Sequence, residues 1–212
     1  MEAQSYLVCF PSTSLYQPTT YLVDTLNPTG YAQVMDEVVG TAVNRTYTYG
    51  LNRISENQLV GSTWTPSFYG YDGHGNVRFL TSLTGAVTDT YKYDAFGVQI
   101  GGSGSTANNF LYSGEQYDST LHLYYLRARY YNPAVGRFQS ADSYEGQFEQ
   151  PATLSKYVYV QNNPVNLLDP SGQGPIAEYA VLRRACRGTA YQVHHLIEKR
   201  FASLSRGRLY DF

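Results

Sequence analysis

Phe68-Tyr69-Gly70-Tyr71-Asp72-Gly73-His74-Gly75-Asn76-Val77-Arg78-Phe79-Leu80 reads as strand, turn and strand. Aromatic and apolar residues flank a cluster of Gly, Asp and Asn, the composition of a hairpin. The Tyr-x-Tyr-(Asp/Gly) signature recurs at Tyr47-Thr48-Tyr49-Gly50 and Tyr91-Lys92-Tyr93-Asp94, so Tyr49, Tyr71 and Tyr93 stand 22 residues apart. A looser copy starts at Tyr21-Leu22-Val23-Asp24, where Thr29-Gly30 parallels Thr84-Gly85. Gly75-Asn76 and Gly85 supply the positive φ of tight turns. A two-strand unit of this length cannot bury both of its faces. Copies must lie side by side, which predicts a quasi-one-dimensional β array with tyrosine ladders.

Composition agrees. Of the 212 residues, 22 are Tyr and 19 are Gly, against 9 Phe. Tyr forms strands and brings a hydroxyl that needs a partner. Charge is unevenly spread. Residues 1–172 carry 8 Lys+Arg and 14 Asp+Glu, a net −6, whereas residues 173–212 carry 7 and 3, a net +4. This pattern predicts an acidic body with a basic tail. Cys9 and Cys186 are the only cysteines and show no CxxC spacing, which excludes a zinc ribbon and a disulfide framework. No run of residues is apolar enough for a membrane helix, and the start has no secretory signal pattern.

Beyond the repeats, residues 101–109 are low in complexity and read as a flexible loop. A dense aromatic stretch follows. It holds Tyr112-Ser113-Gly114-Glu115-Gln116-Tyr117-Asp118, Leu123-Tyr124-Tyr125-Leu126-Arg127-Ala128-Arg129-Tyr130-Tyr131 and Gly136-Arg137-Phe138. Leu123 to Tyr131 reads as one strand, with Arg127 and Arg129 on the same face. Arg127, Arg129 and Arg137 are expected to pair with core carboxylates such as Glu115 or Asp118. Next come Ser140-Ala141-Asp142 and Asn162-Asn163-Pro164-Val165-Asn166-Leu167-Leu168-Asp169-Pro170-Ser171-Gly172. Composition changes at Gly172. Pro175 would open a helix with Ile176, Tyr179, Leu182 and Cys186 as its stripe and Gly188 as its end.

Residues 110–172 resemble the Rhs repeat-associated core, and residues 21–97 resemble the YD repeats that precede it. Together they cover about two thirds of the chain. The resemblance implies a mainly β fold, a YD-repeat β-ribbon spiralling into a hollow shell, here a fragment with a short helical C-terminal tail. It divides the chain into YD repeats at 1–100, a flexible loop at 101–109, the core at 110–172 and a variable toxin region, incomplete in this chain, at 173–212. The implied protein is the closing segment of a secreted or cell-surface polymorphic toxin of interbacterial competition. Its partners would be its own toxin domain inside the shell and an immunity protein. Many members are aspartyl autoproteases that sever the toxin just past Asp-Pro-x-Gly, which nominates Asp142 and Asp169 by motif position. Such chemistry needs two carboxylates close enough to divide acid and base roles. Turn capping is the other reading of both aspartates. Gln173 stands where the family usually carries Leu. The core needs no cofactor.

The tail reads Tyr191-Gln192-Val193-His194-His195-Leu196-Ile197-Glu198-Lys199-Arg200. It resembles the opening of HNH-type nuclease toxins, which would make His194 a ligand of a divalent metal and His195 the general base. Nucleic acid would then be met through the tail alone, with Arg200, Arg206 and Arg208 on phosphate. Only 17 residues follow His195, none of them His or Asn, so this chain does not complete the ligand set. The alternative function is a cell-surface YD-repeat protein that binds carbohydrate on exposed aromatics.

Overall fold

A computed structural model describes residues 18–173, apart from 28, 51, 147, 149 and 150, together with 177 and 178. The chain divides into two compact units. One holds the described chain up to Tyr69 with Thr81–Ala86. The other holds Gly70–Leu80 and resumes at Val87. The fold is mainly β, as the repeat period predicts. Within each unit, the described strands of the larger sheet neighbour one another in sequence order.

The first unit is built from β1 (Thr19–Asp24), β2 (Gln33–Val39), β3 (Ala42–Tyr49), β4 (Arg53–Val60) and most of β5 (Thr63–Tyr71). Their pairings are antiparallel, with bulges after Leu22, Glu37 and Thr48. The buried face is polar. Glu37, Arg45, Glu56 and Arg53 are buried with Tyr47. Arg45 meets Glu37 at 3.1 Å, and the Tyr47 hydroxyl donates to Glu37 Oε1 at 2.6 Å. Glu56 accepts from the Tyr69 hydroxyl at 2.8 Å and from Gln58 at 2.9 Å. The Arg53 guanidinium lies 5.2–5.5 Å from the ring centres of Tyr47, Tyr49 and Tyr69. Tyrosine ladders alone do not describe this face: the strands lock through paired charges, since a buried charge must be paired.

The second unit contains β6 (Val77–Thr81, less its last residue), β7 (Val87–Tyr93) and β8 (Gln99–Ser103). A smaller sheet follows in the order β12-β11-β10-β9, from β9 (Gln116–Asp118), β10 (Leu123–Leu126), β11 (Arg129–Asn132) and β12 (Arg137–Phe138). The Tyr signatures end β3, β5 and β7. Two of these ends lead into the same five-residue turn. Asp72 N bonds Asn76 O and Gly75 N bonds Asp72 O, and Asp94, Gly97 and Val98 repeat the pattern. Each aspartate's Oδ1 also accepts two backbone N–H groups of its own turn.

The Asp94 turn is held from the core. The hydroxyls of Tyr112, Tyr131 and Tyr124 donate to the carbonyls of Ala95, Phe96 and Gly97 at 2.8, 2.7 and 3.1 Å. Their rings pack with Phe138 and Tyr159 (Tyr131 and Tyr159 stack at 4.0 Å), so one layer of aromatics fills the core and satisfies the loop above it. Burial pushes the hydroxyls of Tyr112, Tyr124, Tyr131 and Tyr159 well above the usual tyrosine range, which keeps them neutral donors.

Three expectations change. The stretch Leu123–Tyr131 is a hairpin, β10 and β11, rather than one strand: Arg127 turns the chain at φ +55°, so Arg127 and Arg129 do not share a strand face. The 101–109 segment is not a free loop. Gly101–Ser103 belong to β8, and the buried Asp89 carboxylate holds Thr106 through its backbone N–H (2.9 Å) and its hydroxyl (2.6 Å). Where a helix is expected from Pro175, Ala177–Glu178 instead form a short strand, β14, whose backbone pairs with β13 (Leu167–Leu168). The rest of the expected helical tail lies outside the described residues.

Burial raises the Glu56 pKa above its ordinary 4.5. The folded state therefore holds that proton more tightly than the unfolded chain. Stability from this group is present below pH 4.5 and is lost as pH rises through the raised folded value. Urea unfolding followed through Trp64, the only tryptophan, should show this decline in the wild type and not in Glu56→Gln. Identical pH profiles would refute it.

Candidate functional site

Arg129 opens β11 and is buried at 7 % relative exposure. Its guanidinium is used on every side. Nη2 meets Asp142 Oδ2 at 2.8 Å and Asp169 Oδ2 at 3.6 Å. Nη1 donates to the Lys156 carbonyl at 3.2 Å, and Nε donates to the Gly172 carbonyl. Its Cζ stands 3.7 Å from the centre of the Phe138 ring. The two motif aspartates, 27 residues apart in sequence, thus converge on one nitrogen.

Each aspartate divides its oxygens. Asp142 follows β12, and its backbone N–H is fixed on the Lys156 carbonyl at 2.8 Å. Its Oδ1 accepts from Tyr144 N at 2.9 Å, while Oδ2 faces Arg129. Asp169 follows β13 and is buried at 4 %. Its Oδ1 accepts from Gly172 N at 2.9 Å and from the Ser171 hydroxyl at 3.0 Å, while Oδ2 faces Arg129. Turn capping and charge pairing are both present, on different oxygens of the same side chains. The Ser171 Oγ in turn accepts from Gln173 N at 3.1 Å.

The segment 170–172 lies along the β10–β11 turn. Arg127 Nη1 donates to the Pro170 carbonyl at 2.5 Å, and Ala128 N donates to the Ser171 carbonyl at 3.3 Å. Arg127 is held by Glu115, both of whose oxygens lie 2.9 Å from its Nη1. Gly172 has φ +69°, and a Cβ there would collide with the Leu126 carbonyl oxygen. The positive φ of Arg127 itself costs on the order of 1–3 kcal/mol and persists because the surrounding bonds fix it.

The expected arginine pairings divide. Arg127 pairs with Glu115, as anticipated. Arg129 takes neither Glu115 nor Asp118 but the two aspartates, and Asp118 caps its own turn through Thr120 N and Leu121 N. Arg137 bonds the Asn162 amide oxygen at 2.5 Å, at the end of a left-handed run with φ of +41°, +54° and +59° at Val160, Gln161 and Asn162. Arg129 is the member that sequence reasoning did not place in the site. A buried-charge rule marks it as paired but names no partner. Among the described residues no group of three or more His, Cys, Asp or Glu could hold a metal. No described helix is long and apolar enough to cross a membrane. His194 and His195 lie outside the described residues.

No family model matches the chain. It is 37% identical over 133 residues to the tRNA nuclease WapA of Bacillus subtilis, a match that covers 61% of this chain and 6% of WapA. It is 45% identical over 65 residues to the toxin subunit YenC2 of Yersinia entomophaga, covering 31% of this chain and 6% of that one. The chain is similar to Rhs-like toxin proteins. It spans only a small fraction of the length of these relatives. The crystal structure of TcdB2-TccC3 shares the fold, with a TM-score of 0.55 and 24% identity over 74% of this chain and 8% of that one.

Arg129→Met should destabilise the second unit by about 3–5 kcal/mol, because it leaves a buried carboxylate without its counter-charge. Combining it with Asp169→Asn should recover part of that loss. Chemical unfolding of the wild type, the two single variants and the double variant checks this; simple additivity would contradict it.

Proposed function

We propose that this chain is the closing and release segment of an Rhs-like toxin, and that Arg129, Asp142 and Asp169 cut it between Gly172 and Gln173. The observation that carries the reading is the guanidinium of Arg129, which meets both carboxylates and the Gly172 carbonyl at once. Peptide hydrolysis needs a base for water, a donor for the forming oxyanion and an acid for the leaving nitrogen. Asp142, the more exposed of the pair, takes the proton from water. The hydroxide adds to the Gly172 carbonyl carbon, and Arg129 Nε stabilises the oxygen. The bond to Gln173 N then breaks. That nitrogen takes the proton of the Ser171 hydroxyl, which stands 3.1 Å from it and is held by Asp169 Oδ1 at 3.0 Å, and the proton that Asp142 took from water restores the hydroxyl. The products are a carboxyl group on Gly172 and an amine on Gln173.

The composition break at Gly172 supports this assignment, because a junction between body and cargo is where release is useful. In this reading residues 21–172 belong to a YD-repeat shell that encloses its own toxin. The whole is secreted or displayed at the cell surface, acts between bacteria, and is met in the producing cell by an immunity protein. The segment after Gly172 begins the cargo. His194 and His195 would supply one ligand for a divalent metal and one base of an HNH-like nuclease. Two histidines alone do not make that centre.

Intact mass of the purified full chain tests the cut. The wild type should yield fragments 1–172 and 173–212, and Asp142→Asn and Asp169→Asn should stay whole. A wild type that stays whole, or Asn variants cut as fast as it, would overturn the assignment. For the tail, incubation of DNA and of RNA with Mg²⁺, Mn²⁺ or Zn²⁺ should give no cleavage above that of a His195→Ala chain. Metal-dependent cleavage lost in that variant would show a working nuclease.

A further inference from the structure

We propose that Arg127 and Glu115 form a positioning clamp for release, and that the turn they sit on recognises the cut segment by its main-chain carbonyls. The inference rests on the cleavage reading above and adds the element that seats the substrate. Three consecutive residues face three consecutive carbonyls in the same order. Arg127 Nη1 takes Pro170 O, Ala128 N takes Ser171 O and Arg129 Nε takes Gly172 O. Arg129 also meets both aspartates. Arg127 lies two residues before it and belongs to a different interaction, the ion pair with Glu115.

The geometry explains the residue types. Arg127 must serve a carboxylate and a carbonyl from one planar head, which a guanidinium does and an ammonium does poorly. Glu115, two-coordinate to Nη1, fixes that head so that it meets the carbonyl without searching rotamers. The left-handed turn at Arg127 allows a backbone donor, Ala128 N, to stand between two side-chain donors. Recognition through carbonyls is indifferent to the side chain of Pro170. It becomes selective only at Gly172, where the left-handed φ and the Leu126 carbonyl leave no room for a Cβ. The substrate class is therefore a peptide segment that ends in glycine at the cut and is held in register by its backbone.

The test uses the full chain with Arg127→Met, Arg127→Lys and Glu115→Gln, and takes two readings. The first is hydrogen exchange at the amides of Ser171, Gly172 and Gln173 in a background of Asp142→Asn, which keeps the segment attached. The second is the cleavage rate and the mass of the new ends without that background. Exchange should quicken in Arg127→Met and Glu115→Gln. Cleavage should slow by about 10- to 100-fold in Arg127→Met, the scale of a small misplacement of reacting groups, with ends scattered around Gly172 and partial rescue by Arg127→Lys. Unchanged exchange overturns the clamp whatever cleavage does. Faster exchange with cleavage unchanged in rate and position overturns its role in release and leaves the aspartate assignment intact. If the wild type stays whole, the cleavage reading falls; faster exchange would then support the clamp as the seat of this segment, and unchanged exchange would remove both.

Discussion

A guanidinium buried to the extent of Arg129 costs several kcal/mol in lost hydration, and only complete pairing offsets that. Its partners come from four separate stretches: the Asp142 loop, the Lys156 carbonyl, the Asp169–Gly172 turn and the Phe138 ring. None of these has much secondary structure of its own. β12 and β13 are two residues long, and between them the described residues hold short 3-10 segments at Pro151–Leu154 and Val160–Asn162. The Arg129 head is therefore the point on which Phe138, Asp142, the Lys156 carbonyl and the Asp169–Gly172 turn converge. A neutral side chain of equal volume could fill the space, yet it could not fix two carboxylates and a carbonyl relative to one another.

The same economy of polar groups runs through both units. In the first, Glu37, Arg45 and Glu56 replace the apolar face that a sheet usually buries, and the tyrosine hydroxyls close the network. In the second, three hydroxyls capture the three carbonyls after Asp94. This is a physical reason for Tyr where Leu or Phe would pack equally well. A ring fills the core while its hydroxyl fixes the backbone of the loop beside it.

The strand ends at Tyr49, Tyr71 and Tyr93 were legible because a two-strand unit imposes a fixed period on the sequence, and the turns were legible because Asp and Gly are demanded by their hydrogen bonds and φ. The hairpin at Arg127 was not. Its positive φ falls on a residue with a long side chain, and the tertiary bonds of that side chain, rather than any local preference, hold the turn. The pairing of Arg129 was hidden for a related reason. Its contact with Gly172 spans 43 residues, and nothing local selects Asp142 and Asp169 over Glu115 and Asp118. The motif aspartates could be named from resemblance, whereas their division of oxygens between turn and arginine needed coordinates. The polar character of the first unit's buried face was obscured because alternation marks which residues share a face and not whether that face is apolar.

The 170–172 segment is covalently continuous with the turn that holds it, through Asp169 and the strand before it. Its effective concentration at the Arg127–Arg129 donors is set by chain geometry and is indifferent to dilution. Whatever happens to that segment is a unimolecular event, with a half-life that belongs to each folded molecule and no saturation behaviour. Chemistry at this place would act as a fuse, lit by the completion of the fold and burned once.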